Sequence, residues 1–241
     1  MKELIENILD LAKIKGVEYA DIRIVRRQNE EIEVKNGKVG ALIHDEDFGF
    51  GIRVLFQGAW GFACSSKVTK REMEAVFGRA LKIAKASSKV RGKEILFPPI
   101  SPIVDRYKTP IYIDPFDVAP ETKLNFLLKA DEIIRKNNKV KISEAFLGSY
   151  KTEKTFASTE GSYIEQEIAE CGAGISATAI EGSEVQVRSY PNSFRGNFAT
   201  QGYEWIEKLA LQDKAERIAD EAAQLLSAKP CPSKTTTLIL D

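Results

Sequence analysis

Apolar residues in the first part of the chain recur at the helical period in two places. The first stripe falls within residues 3–15, and a capping box at Thr69–Glu72 precedes the second. The stripes consist of Leu4, Ile5, Ile8, Leu9 and Ala12, and of Met73, Val76, Phe77, Ala80, Leu81 and Ala84. Apolar positions spaced three and four residues apart predict amphipathic helices with one face on a core.

Between these two helices, apolar and polar residues alternate with a period of two, which is typical of half-buried strands. The alternating segments are residues 20–24, 31–35, 39–43, 52–56 and 59–63. Asn36-Gly37 and Gln57-Gly58 separate them, and Asn-Gly is a strong hairpin signal because both residues tolerate positive φ. The pattern therefore predicts two consecutive antiparallel hairpins flanked by helices.

The same order of elements returns in the second half of the chain. A helical stripe at 126–134 is followed by strand-like segments and by a long helix that ends near Leu226. The strand-like segments are residues 140–147, 154–158, 162–168, 172–180 and 184–188. The turn glycines Gly37 and Gly58 are 21 residues apart, as are Gly161 and Gly182. We predict an α+β fold of two tandem α-β-β-β-β-α units with mainly antiparallel sheets, which either form two layers or merge into one sheet.

Proline content marks the boundaries of these units. Six of the nine prolines lie in residues 89–120, which we interpret as a partly extended connector. The predicted organisation is a first unit at 1–88, this connector, a second unit at 121–228, and a segment at 229–241. Within that last segment Thr235–Asp241 has the pattern of a strand, and we expect it to begin a C-terminal catalytic domain that this chain lacks.

Charge and hydropathy restrict the class of protein. Lysine plus arginine and aspartate plus glutamate both number 35, so the formal net charge is zero, and direct contact with nucleic acid is not expected. No apolar run approaches the roughly 20 residues that span a bilayer. The N-terminus carries acidic residues where a signal peptide is apolar. We expect a cytoplasmic protein without membrane contact.

The sequence offers little catalytic chemistry of its own. There is one histidine, His44, and the three cysteines Cys64, Cys171 and Cys231 are far apart. Structural and catalytic zinc sites normally need several His or Cys ligands at short spacing. Gly49-Phe50-Gly51 begins like a dinucleotide-binding motif but lacks its third glycine. We predict no catalytic residue and no metal ligand in this chain, and the substrate-binding residues are left unassigned.

Several side chains near the first hairpins have two interpretations each. We interpret His44 as a solvated turn histidine rather than a ligand, and Asp45-Glu46-Asp47 as a solvated acidic turn rather than a cation site. Arg53 should point away from the core, where it either covers apolar surface or binds a peptide carboxylate. Trp60 and Phe62 share one strand face and are predicted to be core or helix-packing residues rather than a platform for a peptide. The three cysteines are interpreted as buried or linker thiols.

Several short motifs, in this order and spacing, resemble the N-terminal part of the TldD/PmbA family. The TldD branch is favoured by the Trp-Gly-Phe stretch at 60–62. The resemblance covers nearly the whole chain. It rests on the segments at 20–23, 49–54, 58–63, 215–219, 225–226 and 228–232, the last of which leads into 238–241.

The resemblance implies a zinc peptidase that hydrolyses unfolded peptides as a homodimer or as a heterodimer with a paralogous subunit. The family is also described as modulators of DNA gyrase. Its catalytic His-Glu-x-x-x-His motif does not occur here, so no family zinc ligand or general base can be assigned to any residue. We expect the full-length protein to be an enzyme that needs zinc, and this chain by itself to bind none and to be inactive.

Two functions follow as hypotheses. In the first, the chain is the non-catalytic part of a TldD-type metalloprotease that frames the substrate chamber, contributes subunit contacts and lets an extended peptide add to a sheet edge. In the alternative, the chain belongs to a protein-binding modulator, for example of DNA gyrase, that hydrolyses nothing.

Overall fold

The computed structural model describes residues 1–90, 95, 97–98, 100–192, 195–229, 233 and 235–238. The helices are α1 (Lys2–Ile14), α2 (Lys70–Ser88), α3 (Pro120–Ile134), α4 (Glu204–Leu209) and α5 (Leu211–Leu225). The strands are β1 (Tyr19–Lys35), β2 (Lys38–Phe56), β3 (Ala59–Ser65), β4 (Val104–Lys108), β5 (Val140–Ser158), β6 (Tyr163–Glu181), β7 (Glu184–Tyr190) and β8 (Asn197–Ala199). The predicted α+β class is confirmed.

Long strands replace several of the shorter predicted segments. Residues 20–24 and 31–35 are the two ends of β1, and 39–43 and 52–56 are the two ends of β2. The polar stretch between the two ends of β1 stays extended because β1 pairs with β2 on one side and with β5 on the other along most of its length. The hairpin predicted at Asn36-Gly37 is present, and both residues have positive φ, 48° and 76°.

The two halves of the chain merge into one mostly antiparallel sheet. Its strand order is β3-β2-β1-β5-β6, and β4, β8 and β7 lie one after another along the outer edge of β6. β3 pairs with residues 50–56 of β2, and β7 pairs with the corresponding residues 175–181 of β6. The matching registers confirm the duplication, but the strands common to both units number three, because long continuous strands replace the four that were predicted.

All five helices of the described chain lie on one face of this sheet, over two separate cores. α1 and α2 cover Ile22 and Ile52, whereas α3, α4 and α5 cover Ile32, Leu147 and Ile175. Ile22 and Ile32 are separated by an even number of residues on one strand, so they face the same side. The opposite side, which carries Asp21, Arg53 and Tyr150, is called the helix-free face below.

Polar side chains separate the two cores on the helix-covered face. Glu30 is 4% exposed, and its carboxylate accepts a hydrogen bond from the ammonium of the fully buried Lys123 of α3. Nearby, Lys151 of β5 donates to Asp114 in the connector. These ion pairs explain why the middle of β1 can be polar and still belong to a continuous strand.

The connector contains a strand, whereas the described part of the tail does not. Part of the connector forms β4, which pairs in parallel with β6, in agreement with a partly extended segment. In the tail, the described residues 235–238 are exposed and carry no strand. Residues 239–241 and Cys231 lie outside the described part of the chain, so the strand at Thr235–Asp241 stays a prediction.

Candidate functional site

A long stretch of β2 is paired on one side only. β1 accompanies β2 along its length, but β3 reaches only residues 50–56. Along residues 38–49, no strand of the described chain pairs with the outer side of β2. We call these residues the free edge. An unpaired strand edge presents backbone N–H and C=O groups that can pair with a further extended chain.

The corresponding edge in the second unit is covered. β4 pairs with residues 163–167 of β6, and β8 pairs with residues 171–173. β8 belongs to the long loop 191–203 between β7 and α4, whereas the equivalent loop between β3 and α2 comprises only residues 66–69. A loop that short cannot supply a counterpart of β8, and no described strand takes the place that β4 of the connector has beside β6.

The free edge carries unusually apolar residues for a solvent-facing strand. Val39, Leu42, Ile43 and Phe48 are each between 41% and 49% exposed. Natural edge strands are usually protected by charges, prolines or shortness. The free edge therefore combines these four exposed apolar side chains with unpaired backbone groups, although it also carries Lys38 and the acidic residues 45–47.

The acidic residues 45–47 lie within this edge rather than in a turn, so the predictions of a turn histidine and an acidic turn were wrong. His44 and Asp45 sit in mid-strand opposite Glu30 and Asn29 of β1. The Arg26 guanidinium donates to Glu46 at 2.7 Å. Because β1 supplies polar partners at these positions, the acidic run remains in the strand.

The described residues do not fit a zinc ion. No three His, Cys, Asp or Glu side chains among them are arranged as a metal site. His44 Nδ1 lies 3.8 Å from one oxygen of Glu30, but the other oxygen of Glu30 is bound by Lys123. A carboxylate neutralised by a buried lysine is a poor metal ligand, so no catalytic step is assigned to metal on this chain.

Arg53 lies on the helix-free face, as predicted, but its carboxylate partner is internal. Its Nε and Nη2 atoms donate to one oxygen of the buried Asp21 at 2.8 and 2.6 Å. The guanidinium also lies over the Trp60 ring, 4.5 Å from its centroid. Burial, together with the charge of Asp21, raises the pKa of neighbouring Tyr19 to about 12. The guanidinium is therefore already paired and not available to a peptide carboxylate.

The prediction that Trp60 and Phe62 are core residues was wrong. The residue between them, Gly61, faces α2 so closely that a Cβ would lie 2.0 Å from the Ala80 carbonyl oxygen. Alternation then places both aromatic rings on the helix-free face, where Phe62 is 57% exposed. The close contact of β3 with α2 at Gly61 fixes this orientation. Sequence periodicity does not reveal such a contact.

The two described cysteines have opposite environments. Cys171 is buried, its thiol lies 2.9 Å from the Gly202 carbonyl oxygen, and burial raises its pKa to about 12. Cys64 is exposed near the end of β3, which differs from the buried or linker thiol expected there. Cys64 is therefore the more reactive of these two thiols, because it is accessible, whereas Cys171 is buried and its burial opposes thiolate formation.

The Asp114–Lys151 pair predicts a defined pH dependence of stability. Burial opposes ionisation of Asp114, but hydrogen bonds from Lys151 and from the Phe116 N–H outweigh it and keep the pKa of Asp114 below the ordinary 3.8. A carboxyl with a lowered folded-state pKa stabilises the fold above about pH 4 and loses this contribution as pH falls through the folded-state pKa. Asp114→Asn should therefore cost about 1–2 kcal/mol of unfolding free energy at pH 7.

This cost should shrink as pH falls below about 4, because wild-type Asp114 then becomes protonated as pH passes through its lowered pKa. Urea denaturation of both proteins between pH 2 and 7 measures the difference. If the loss of unfolding free energy were the same at every pH, the ion pair between ionised Asp114 and Lys151 would not be its cause.

The fold and the free edge together define a class: a duplicated α+β scaffold with one unpaired strand edge in its described part. Comparisons with known proteins identify the family. The sequence profile of PmbA/TldA metallopeptidase domain 1 matches residues 20–84, and that of the PmbA/TldA metallopeptidase central domain matches residues 113–229. The chain belongs to the PmbA/TldD metallopeptidase family.

Individual relatives agree with this assignment. A metalloprotease of Methanocaldococcus jannaschii is 34% identical over 99% of this chain and 50% of its own length. One of Methanothermobacter thermautotrophicus is 28% identical over 93% of this chain and 47% of its own length. The chain thus spans about half the length of these curated relatives.

Solved structures share the fold. A proposed modulator of a DNA gyrase from Thermotoga maritima superposes with a TM-score of 0.74 at 20% identity, over 97% of this chain and 50% of that one. TldE from Thermococcus kodakarensis gives a TM-score of 0.66 at 16% identity, over 92% and 47%. Among the described helices of this chain, none has the length and hydropathy of a membrane span.

Sequence reasoning proposed a sheet edge for peptide addition without locating it on β2, and it missed the buried Glu30–Lys123 pair. One signal for the edge was present: the repeat has a four-residue loop after β3 but a long one after β7. No pattern in sequence pairs Glu30 with Lys123, because 93 residues separate them.

Proposed function

We propose that this chain is the non-catalytic part of a TldD-type metalloprotease and that its free edge holds unfolded peptides in an extended form. The free edge at residues 38–49 is the observation that carries this role. Strand addition uses backbone hydrogen bonds, which are common to all sequences, and therefore suits a protease of unfolded chains. Zinc would then be held by residues outside this chain, and the assembly would be a homodimer or a heterodimer with a paralogous subunit in the cytoplasm.

Metal content and peptidase activity test the assignment. The purified 241-residue chain should neither retain stoichiometric zinc nor cleave an unfolded peptide. A polypeptide extended along its coding sequence through a His-Glu-x-x-x-His motif should do both. Tight stoichiometric zinc in the shorter chain, or absence of the motif from the extended sequence, would overturn the proposal.

Amide hydrogen exchange tests the role of the free edge separately. In the extended polypeptide, with the Glu of that motif changed to Gln to prevent turnover, an unfolded peptide should slow exchange at outward-facing amides of residues 38–49. Residues 50–56, already paired with β3, serve as the internal control. Unchanged exchange along the free edge would exclude strand addition there.

A protein-binding modulator without hydrolysis is the alternative, and the free edge could equally bind a partner protein. The description of the Thermotoga maritima structure motivates this alternative. Peptide cleavage by the extended polypeptide would decide against it.

A further inference from the structure

A cavity of about 620 Å³ opens where β3 ends and the free edge begins. Val25, Phe62 and Cys64 line it on the helix-free face, and Phe48 and Phe50 contribute further apolar surface. At Gly49 an added Cβ would lie 3.0 Å from the Ser65 carbonyl oxygen and 3.5 Å from the Ser66 Cα, so the end of β3 approaches β2 closely there. A strand that continues the line of β3 along β2 would place its first side chains beside this cavity.

The pairing register determines which side chains of an added strand lie opposite which residues of β2. Residues directly opposite each other on antiparallel strands point to the same face. On the helix-free face, an added strand would meet Gly49, then Asp47, then Asp45, then Ile43. Its first, third, fifth and seventh residues would therefore meet the cavity, two carboxylates and an apolar side chain.

Between residues 43 and 49, the charged side chains that β2 itself places on this face are both acidic. Asp45 and Asp47 take part in no ion pair within the described residues. On the neighbouring strands, Glu31 and Glu33 lie on the same face, and the cations there are Arg27 opposite Asp47, Arg23 opposite Gly51 and Lys154 of β5. A cationic side chain on an added strand is the complement of these two carboxylates, because opposite charges on neighbouring strands attract each other.

We propose that the free edge selects extended peptides with a large apolar residue followed, two and four positions later, by lysine or arginine. The inference rests on the proposed strand addition and specifies the class of peptide that it favours. The apolar side chain enters the cavity beside Cys64, and the two cations lie against Asp47 and Asp45. Backbone pairing supplies the general affinity, and these three side chains supply the preference.

Two synthetic peptides, FVKTKTIV and FVETETIV, test the preference because they differ only in the charge of the third and fifth residues. Fluorescence anisotropy should give at least a tenfold lower Kd for the lysine peptide at low salt, and the difference should shrink as salt is raised. The double variant Asp45→Lys and Asp47→Lys should reverse the order. Glu3→Lys with Glu6→Lys, on α1, changes net charge equally and should leave the order unchanged.

Cys64 reports occupation of the cavity. The lysine peptide should slow alkylation of Cys64, as measured by peptide mass mapping. A peptide with alanine in place of its phenylalanine should bind about tenfold more weakly and protect Cys64 less.

Equal affinity for both peptides, or a lysine preference that persists in the Asp45→Lys and Asp47→Lys variant, would overturn the proposed selection. The milder variant Asp45→Asn and Asp47→Asn, which should abolish the preference, covers the case in which the lysine variant does not fold. Exchange protection of residues 38–49 without charge preference would retain strand addition and reject selection. Failure of any peptide to protect those amides would reject both.

Discussion

Replacing Gly61 by alanine is expected to lower the free energy of unfolding by about 3 kcal/mol. An added Cβ would lie 2.0 Å from the Ala80 carbonyl oxygen and 2.5 Å from the Ala84 backbone nitrogen. Both contacts are with helix backbone, which cannot rotate away as a flexible side chain can. α2 would have to move off the sheet and open the core around Val76, Phe77 and Ala80.

The same helix offers a matched control. Gly78 lies in α2, and a Cβ there would meet nothing within 4 Å. Gly78→Ala should stabilise the protein by roughly 0.5–1 kcal/mol, because glycine in a helix interior loses more conformational freedom on folding. Urea denaturation of both variants measures the contrast. If Gly61→Ala unfolded within about 0.5 kcal/mol of wild type, the close packing of β3 on α2 would be refuted.

Lys123→Met is the second substitution with a large expected effect, a loss of about 3–5 kcal/mol. Lys123 is fully buried and hydrogen-bonded to Glu30, which is 4% exposed. Removing the ammonium leaves a buried carboxylate whose main counter-charge is gone. The double variant Lys123→Met with Glu30→Gln should recover much of the loss, because no uncompensated charge then remains.

Lys139→Met is the control for this pair. Lys139 and Glu181 form an ion pair with side chains 43% and 60% exposed, so its loss should cost less than about 1 kcal/mol. A double-mutant cycle by urea denaturation gives the coupling energy between Glu30 and Lys123. Coupling near zero would show that the two side chains do not form the buried pair.

These two sites support different parts of the proposed function. Gly61 holds β3 against α2 and so sets the point at which the free edge begins. Glu30 and Lys123 join the middle of β1 to α3, directly behind His44 of that edge. A destabilised variant at either position should therefore weaken peptide binding only in proportion to unfolding.

The sequence by itself determined the local elements and their order. Helical periodicity placed α2 and its buried face, the Asn36-Gly37 turn placed the first hairpin, and the spacing of turn glycines revealed the duplication. Short motifs identified the family. These features depend on residues close together in the chain, where backbone preferences and apolar spacing act directly.

Only the tertiary structure determined how these elements pair, which faces their side chains occupy and which strand edge stays uncovered. β1 pairs with β5 across the two units, which joins their strands into one sheet and keeps the polar middle of β1 extended. The approach of Gly61 to α2 turned Trp60 and Phe62 to the helix-free face. The free edge exists because β4 and β8 cover β6 while nothing in the described chain covers the same part of β2. Each outcome depends on contacts between residues distant in sequence, whose geometry no local pattern contains.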